Sequence, residues 1–343
     1  MTANIEQQLT EEYLRVIQYC EENDVPDYMS VISKEYLDGG WKFYTRLFDS
    51  IPNDFTDKVV VDFGCKYGHL LPYLVAKGAS KVIGLDAEQE YVEVGKSVFE
   101  QVLPDCQCEL IEDGLIPLQP NSVDIIFVNE VISHINPAYL DTVFSEWARI
   151  LKMGGIVFIS DGNNAASQLC LKKLLPLYEA WENGPDGRST DRDYVAKSYL
   201  TRRKEIIREL LPDLAEDKVQ YVAVNTSGLF GETLKKIILN YGKTGELIER
   251  PYRSGTYPTN PRGSGVVMER TFHPLALEKH LFTYGIFAKQ ILPERQKPEA
   301  GDTWVSKFDY YMTEYNYYKK MVEQPDHERG AGEGFKMLGR KVW

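Results

Sequence analysis

The chain has 343 residues, of which 43% are hydrophobic and 26% are charged, and its formal net charge is −12. This composition is typical of a folded globular protein and excludes a low-complexity or highly charged disordered chain. Nucleic-acid-binding proteins need a basic surface that neutralises phosphates, so the acidic balance argues against a nucleic-acid partner.

The apolar runs and the cysteines indicate where in the cell the protein is expected. The longest apolar runs, such as Ile125–Val128, are too short to cross a bilayer, which argues against a membrane partner. The first residues lack the basic and apolar regions of a signal peptide, and the five cysteines show no zinc-site spacing. We therefore expect a cytoplasmic protein without a bound metal.

The first half of the chain divides into two parts. Residues 1–56 have the apolar spacing of helices, and we expect them to form a helical cover. Residues 57–160 alternate between short apolar runs and helical patterns, which predicts a parallel sheet with helices on both faces. The elements expected in this core are strands at 59–63, 82–85, 107–111, 123–128 and 156–159, and helices at 69–77, 88–103 and 137–151, the last capped by Asn136 and followed by Gly154 and Gly155.

Beyond residue 160 the alternation stops, and long helical patterns with glycine- and proline-rich loops take over. We divide this part into four segments with different expected roles. They are a substrate cap at 161–271 with helices at 168–182, 191–211 and 232–241, a continuation of the core at 272–294, a Tyr-rich helical insertion at 295–333 and a final core strand at 334–343.

A glycine loop follows the first expected strand. Gly64 and Gly68 there allow a ligand to approach the backbone closely, and the helix start behind them offers free N–H groups. A dinucleotide site would have glycine two residues before Gly64, but this chain has Asp62, whose carboxylate repels a pyrophosphate. The loop therefore favours a ligand that carries an amino group and a sulfonium charge.

Polar residues end the later strands, and the carboxyl ends of parallel strands share one edge of the sheet. Asp86 comes 18 residues after Gly68 (86 − 68), near the ~20 expected for a carboxylate that accepts ribose hydroxyls. Any single polar residue at the end of a strand would suit a turn or a cap. Several such residues in register with the glycine loop predict a nucleoside-binding site. The strand-end residues are Asp86, Asp113, Asn129, Glu130 and Asp161.

These motifs resemble those of the class I S-adenosylmethionine-dependent methyltransferases, closest to the small-molecule branch called type 11. The segment Asp62-Phe63-Gly64-Cys65-Lys66-Tyr67-Gly68 is similar to the first motif, with Lys66 in place of the middle glycine. Asn121–Ile135 resembles the fourth motif. The resemblance implies an α/β fold of the Rossmann-like methyltransferase type, with a doubly wound, mostly parallel seven-stranded sheet and helical insertions that form a cap.

The resemblance also implies S-adenosyl-L-methionine as cofactor and S-adenosyl-L-homocysteine as product. By this resemblance Asp86 contacts the ribose, Asp113 contacts the adenine amino group, and the end of the fourth strand flanks the methionine moiety. The residues implied to bind the cofactor are Asp62, Gly64, Cys65, Gly68, Asp86, Ala87, Asp113, Gly114, Asn129 and Glu130.

His134 is our candidate for the catalytic base, because histidine titrates near ~6.5 and this one lies just past the fourth strand. A histidine that only packs at a helix start is the alternative. The Gly- and Pro-rich loop contains Arg250, Arg253 and Arg262 together with Tyr252 and Tyr257. The three arginines suit either a carboxylate- or phosphate-binding role or scattered surface charges. His273 suits either the acceptor or a helix cap. The residues that we expect to face the acceptor are Trp41, Tyr44, Asp161, Arg253, Arg262 and His273.

We expect methylation of an oxygen or a nitrogen of a small polar or acidic metabolite. The alternatives are a methyltransferase acting on protein or nucleic acid, a protein that binds S-adenosylmethionine without catalysis, and a nicotinamide dehydrogenase. Five tyrosines between residues 310 and 318 cannot share one helical face, so a homodimer contact or a substrate wall competes there with simple packing.

Overall fold

The computed structural model describes residues 2–48, 55–189, 194–195, 197–229, 231–252, 259–260, 267–291 and 334–343. The described strands are β1 (Val59–Phe63), β2 (Lys81–Asp86), β3 (Cys106–Leu110), β4 (Val123–Asn129), β5 (Leu151–Asp161), β6 (Arg188–Ser189), β7 (Tyr194–Val195), β8 (Thr259–Asn260), β9 (Val267–Met268), β10 (Ile286–Ile291) and β11 (Phe335–Lys341).

Helices flank these strands along the chain. The described α-helices are α1 (Thr2–Glu22), α2 (Asp27–Glu35), α3 (Trp41–Phe48), α4 (Leu71–Ala76), α5 (Gln89–Val102), α6 (Leu140–Ile150), α7 (Gln168–Asn183), α8 (Tyr199–Leu210), α9 (Glu216–Val224), α10 (Gly231–Thr244) and α11 (Pro274–Thr283). A π-helical turn, Tyr36–Gly40, joins α2 to α3, and a 3₁₀ turn, Ile132–His134, follows β4.

Seven of the strands form one sheet in the order β10-β11-β5-β4-β1-β2-β3. The pairs from β3 across to β5 are parallel, whereas β11 runs antiparallel to both β5 and β10. The chain enters the sheet at the central strand β1. It continues first to β2 and β3 on one side and then to β4 and β5 on the other, so the strand order reverses beside β1. The predicted fold class, an α/β fold with a doubly wound, mostly parallel seven-stranded sheet, is confirmed.

Alternate residues of the central strands face different layers of helices. Val60 packs in a cluster with residues of α1, α4 and α5, whereas Val61 packs in a cluster with residues of α6 and α11. Consecutive residues of a strand point to opposite faces, and both faces here are covered, which explains the unbroken apolar run in β1. The strand ends stay outside these layers, and ligands of such sheets bind at the carboxyl ends.

The helices after β5 are held together by an apolar cluster and an ion pair. Residues of α8, α9 and α10, among them Ile207, Val222 and Ile238, form an apolar cluster of their own. Arg203 of α8 is paired with Glu182 of α7, and both side chains are completely buried. Among the helices described, none combines the length and the apolar character that a membrane span requires.

Two boundaries in the core differ from the sequence expectation. α6 begins at Leu140 and not at residue 137, because Asn136 Oδ1 accepts a hydrogen bond from the Ala138 N–H and closes a turn before the helix. β5 begins at Leu151 and not at residue 156, because Leu151 already pairs with Val123 ahead of a bulge. Gly154 and Gly155 therefore lie inside a strand and do not stop a helix.

The segment expected to form the cap differs from the sequence expectation in two further ways. The helix expected at 191–211 is wrong at its start: Tyr194–Val195 forms β7, and α8 begins at Tyr199 after Ser198, whose Oγ accepts a hydrogen bond from the Thr201 N–H. The sequence expectation also omitted α9. Arg253, Arg262 and the Tyr-rich helix expected at about 303–322, with its proposed homodimer contact, lie outside the described residues.

Candidate active site

Two glycines in the loop between β1 and α4 bring the backbone close to neighbouring side chains. Gly64 has φ +77° and Gly68 has φ +89°, values that glycine adopts without strain. A Cβ atom on Gly64 would lie 2.4 Å from a methyl carbon of Val131, and one on Gly68 would lie 2.9 Å from carbons of Leu71 and Phe99. Both positions therefore require glycine.

Lys66, which replaces the middle glycine of the motif, adopts a left-handed conformation with φ +50°. This conformation costs a residue other than glycine roughly 1–2 kcal/mol. The backbone N–H of Lys66 donates to Oδ2 of Asp86 at 2.8 Å, so the carboxylate at the end of β2 holds the loop in place.

Asp86 is buried and bonded to several backbone groups. Its Oδ1 accepts a hydrogen bond from the Glu88 N–H at 3.0 Å. Burial raises the pKa of Asp86, while the backbone N–H groups of Glu88, Lys66 and Ala87 act in the opposite direction. Because each carboxylate oxygen can accept more than one hydrogen bond, Asp86 retains acceptor capacity for a ribose hydroxyl.

Asp62 lies buried in β1, two residues before Gly64. Burial, reinforced by the negative charge of Asp86, raises the pKa of Asp62 to about 7. A nearby positive charge favours the ionised form of such a carboxyl group. The position therefore suits the cationic end of a ligand.

Tyrosines of the N-terminal helices surround Asp62. Burial, with the charge of Asp62 among the smaller causes, raises the pKa values of Tyr13, Tyr36 and Tyr44. The Tyr13 hydroxyl donates to the His69 carbonyl at 2.8 Å, and the hydroxyls of Tyr36 and Tyr44 lie 2.9 Å apart. These contacts attach the N-terminal helices to the glycine loop and bring Tyr44 to the predicted site.

Two other predicted residues contribute mainly to packing. Trp41 is half-buried against the same apolar layer, and the Lys42 ammonium lies 5.7 Å from its ring centre. The buried thiol of Cys65 lies against Gly84, where an added Cβ atom would meet the sulfur at 2.8 Å. Cys65 can therefore offer a ligand its backbone more readily than its thiol.

The turn after β3 carries the residues implied to contact the adenine. Asp113 and Gly114 both have left-handed backbones, with φ +51° and +82°. A hydrogen bond with Asp113 raises the pKa of the Tyr139 hydroxyl. The exposed Asp113 therefore lies between this edge of the sheet and the start of α6.

Asn129 at the end of β4 has a buried polar atom that lacks a partner. Its Oδ1 accepts no hydrogen bond from the described residues. Buried polar atoms in native proteins nearly always have a partner, so this oxygen fits a donor group supplied by a ligand. Asn129 and Asp86 are the last residues of β4 and β2, and Asp62 is the second-last residue of β1, the parallel strand between them.

Glu130 follows β4 directly, and Asp161 is the last residue of the neighbouring strand β5. Glu130 Oε2 accepts a hydrogen bond from the Gly162 N–H at 3.1 Å, and desolvation and the Asp161 charge raise the pKa of Glu130 to about 7. Asp161 is buried and accepts hydrogen bonds from the Ser133 N–H at 3.1 Å and the Asn163 N–H at 2.8 Å. Both Asp161 oxygens are thus engaged with the backbone, and its predicted contact with the acceptor stays a prediction.

His134 stands partly exposed at the same edge. Its Nδ1 lies 3.5 Å from Oε2 of Glu269, and Asn163 Nδ2 donates to Oε1 of Glu269 at 2.6 Å. His273, the other histidine predicted near the acceptor, occupies the N-cap position of α11, but its side chain makes no capping hydrogen bond. The structure thus places His134 beside a carboxylate, a kind of partner that can fix the orientation and tautomer of an imidazole.

Residues 61–159, from β1 to β5, match the model of the methyltransferase domain family. This segment is a methyltransferase domain. Over this segment the resemblance predicted from the motifs, to the S-adenosylmethionine-dependent methyltransferases of class I and type 11, is confirmed, and with it the predicted cofactor.

The methyltransferase domain also has curated relatives. A ubiquinone biosynthesis O-methyltransferase of Nitrosomonas europaea is 31% identical over 117 residues, which cover 34% of this chain and 48% of that protein. The protein of the same name from Neisseria meningitidis serogroup C is 27% identical over 170 residues, which cover 48% of this chain and 68% of that protein. The chain thus spans about half the length of the first relative.

Solved structures include an S-adenosylmethionine-dependent methyltransferase from Mesorhizobium loti. Its TM-score is 0.42 at 12% identity, and the alignment covers 87% of this chain and 96% of that chain.

Glu269 and Tyr178 were missed at the level of sequence, and Tyr252 was named there only as a neighbour of the loop arginines. Glu269 lies far from His134 along the chain and belongs to no motif. The hydroxyls of Tyr178 and Tyr252 are buried and have no hydrogen-bond partner among the described residues. Burial, followed by the charge of Glu269, raises the pKa of Tyr178, which places this tyrosine near the same cluster. Only the tertiary structure brings these side chains together.

Proposed function

We propose that this chain transfers the methyl group of S-adenosylmethionine to a hydroxyl oxygen of a small molecule. The observation that carries the proposal is the pairing of His134 with Glu269 at the carboxyl edge of the sheet, beside the glycine loop. The names of the two relatives, both O-methyltransferases, support an oxygen acceptor.

The residues present fit the cofactor. Gly64 and Gly68 form a cradle that a Cβ atom would fill, and Asn129 offers a buried oxygen that needs a donor. In this proposal Asp62 faces the cationic methionine end and Asp86 accepts the ribose hydroxyls. The bound cofactor supplies an electrophilic methyl group.

The choice of oxygen follows from what a hydroxyl acceptor requires. A neutral amine can attack a methyl group directly, whereas a hydroxyl benefits from a base that removes its proton. His134 is held at the edge where the methyl group is expected, and the remaining task of the protein is alignment of the acceptor. A histidine base therefore favours oxygen over nitrogen.

The acceptor is proposed to lie between this edge and the helices after β5. The buried hydroxyls of Tyr178 and Tyr252, which have no hydrogen-bond partner among the described residues, suit an acceptor with polar groups. Arg253 and Arg262, which would favour an acidic acceptor, lie outside the described residues, so the acidity of the acceptor rests on sequence alone.

Release of S-adenosylhomocysteine with matched acceptors tests the proposal. Phenols are paired with the corresponding anilines, and hydroxy acids with the corresponding amino acids. We expect turnover with at least one hydroxyl compound, a product heavier by one methylene on oxygen, and slower turnover with its amine counterpart.

Three other outcomes would contradict the proposal. Turnover only with bulk protein or RNA would assign a macromolecular substrate. Binding of S-adenosylhomocysteine without turnover in any pool would indicate a protein that binds the cofactor without catalysis. Turnover confined to the amines would leave the chain a methyltransferase but exclude the oxygen acceptor.

A further inference from the structure

Glu269 is fixed by contacts with the loop that follows β5. Asn163 Nδ2 donates to Oε1 of Glu269 at 2.6 Å. The Phe272 N–H donates to the Asn163 carbonyl, and the Ala165 N–H donates to the Phe272 carbonyl, both at 2.8 Å. A two-way backbone ladder thus anchors the segment that carries Glu269, and a side-chain bond orients its carboxylate.

His134 is anchored from its own side. It ends the 3₁₀ turn after β4, and its N–H donates to the Val131 carbonyl at 2.9 Å. The preceding residue, Ser133, is bonded through its N–H to the buried carboxylate of Asp161. Both partners of the contact between His134 Nδ1 and Glu269 Oε2 are therefore held by elements of the sheet edge, at an ion-pair distance of 3.5 Å.

We infer that Glu269 is a positioning residue that orients His134 as the base of the methyl transfer; this rests on the proposed function. With its Nδ1 proton directed at Glu269, the neutral imidazole carries its basic electron pair on Nε2. The acceptor oxygen forms a bond to the methyl carbon, the carbon–sulfur bond breaks with its electron pair going to sulfur, and the acceptor proton goes to Nε2. The carboxylate of Glu269 then faces the imidazolium.

The two other carboxylates near His134 are placed differently. Glu130 and Asp161 both face His134 closely enough to interact with its charge. Asp161 is already bonded to two backbone N–H groups, and Glu130 is bonded to the Gly162 N–H. Glu269 Oε2 makes an ion-pair contact with His134 Nδ1, and we assign the orienting role to this contact.

The imidazole tautomer tests this role without an acceptor. The five histidines of the chain are labelled with ¹⁵N, S-adenosylhomocysteine is added, and His134→Gln assigns the signal. We expect neutral His134 of the wild type to carry its proton on Nδ1, and Glu269→Ala to shift the population towards the Nε2 proton. The same tautomer in both proteins would overturn the inference.

The second test is a double-mutant cycle on the release of S-adenosylhomocysteine, with the best hydroxyl compound of the acceptor panel. Glu269→Ala should lower kcat about tenfold or more with little change in KM, by analogy with the partners that orient metal-ligating histidines, whose loss costs ~10–100-fold. Glu269→Gln, which retains an acceptor oxygen, should lie between wild type and alanine. In the His134→Gln background Glu269→Ala should have no further effect.

Glu93→Gln serves as the matched control, because Glu93 lies exposed on α5, and it should keep the wild-type rate. An equal loss from Glu269→Ala in both backgrounds would overturn the positioning role. Wild-type turnover with an unchanged rate in Glu269→Ala would contradict this inference alone. A wild type that releases no S-adenosylhomocysteine with any hydroxyl compound would contradict the proposed function itself.

Discussion

The backbone N–H of Lys66 donates to Oδ2 of Asp86 at 2.8 Å, and this bond joins the glycine loop to the end of β2. The same carboxylate is the one implied to accept ribose hydroxyls. Asp86 therefore combines two tasks, since it fixes the loop and presents oxygen atoms to the ligand. Lys66 takes part through its backbone, which explains why a side chain is tolerated where the motif has glycine.

Lys66→Gly should leave cofactor binding nearly unchanged and stabilise the fold. Glycine adopts φ +50° without strain and keeps the N–H that Asp86 accepts. We expect the free energy of unfolding to rise by up to about 1 kcal/mol, and the dissociation constant for S-adenosylhomocysteine to stay within about twofold. Denaturant unfolding and calorimetry measure the two quantities.

Lys66→Ala is the control for that change, because alanine removes the side chain but keeps the left-handed strain. It should show no gain in stability. A weaker affinity in both variants would contradict the account, because it would show that the lysine ammonium holds the ligand.

Asp62 should make the empty protein less stable as the pH rises. Its pKa of about 7 lies above the ordinary value of 3.8, so between these values the folded chain retains a proton that the unfolded chain releases. Stability is therefore lost as the pH rises from about 4 towards 7, by an amount on the order of a few kcal/mol.

Thermal unfolding at pH 5.5 and 7.5, with and without S-adenosylhomocysteine, checks this account of Asp62. The ligand should stabilise the wild type more at pH 7.5, where Asp62 is ionised. Asp62→Asn should raise the melting temperature of the empty protein at pH 7.5. It should also reduce the stabilisation by S-adenosylhomocysteine at both pH values. An empty variant with the pH dependence of the wild type would show that Asp62 is not the responsible group.

Gly64→Ala should destabilise the fold through two separable causes. The added Cβ atom would lie 2.4 Å from a methyl carbon of Val131, and the backbone has φ +77°. We expect a loss on the order of 2–3 kcal/mol in denaturant unfolding, since overpacking and a strained backbone each contribute.

The double variant Gly64→Ala/Val131→Ala separates the two causes, with Val131→Ala alone as reference. Relative to Val131→Ala, the double variant should lose less free energy of unfolding than Gly64→Ala loses relative to wild type, because the steric contact is gone. The loss that remains is due to the positive φ of residue 64. Full additivity of the two single changes would contradict the close contact.

The buried pair of Glu182 and Arg203 should be sensitive to the loss of one partner. Arg203 also donates through Nε to the Ala223 carbonyl at 2.8 Å. Arg203→Met leaves a buried carboxylate unpaired and should cost about 3–5 kcal/mol. The double change Glu182→Leu/Arg203→Met should cost clearly less in the same unfolding experiment, because no unpaired charge remains. Equal losses would argue against a direct pair.

The sequence predicts the order of elements in the core because local patterns determine it. The unbroken apolar run of β1 predicts a covered strand, and Gly64 with Gly68 predicts the loop that follows. The start of α6 shows what local patterns leave open. Asn136 can either cap a helix that begins at the next residue or close a turn. Its Oδ1 accepts a hydrogen bond from the Ala138 N–H and closes a turn, so α6 begins only at Leu140.

The acceptor side of the site depends on contacts that no local pattern contains. Asn163 bonds to Glu269 across more than a hundred residues, and this bond decides which carboxylate meets His134. Asp161 illustrates the opposite case, since its place at the end of β5 is evident from the sequence but its two backbone bonds are not. Long-range hydrogen bonding thus determines the roles of residues whose positions are easily predicted.

Calorimetric titration with S-adenosylhomocysteine and, separately, with NAD tests the central claim most directly. The account predicts that S-adenosylhomocysteine binds one site per chain, that Asp86→Ala weakens this binding at least about tenfold, and that NAD gives no binding heat. Binding of NAD without binding of S-adenosylhomocysteine, or an affinity unchanged by Asp86→Ala, would contradict a methyltransferase site at the carboxyl edge of this sheet.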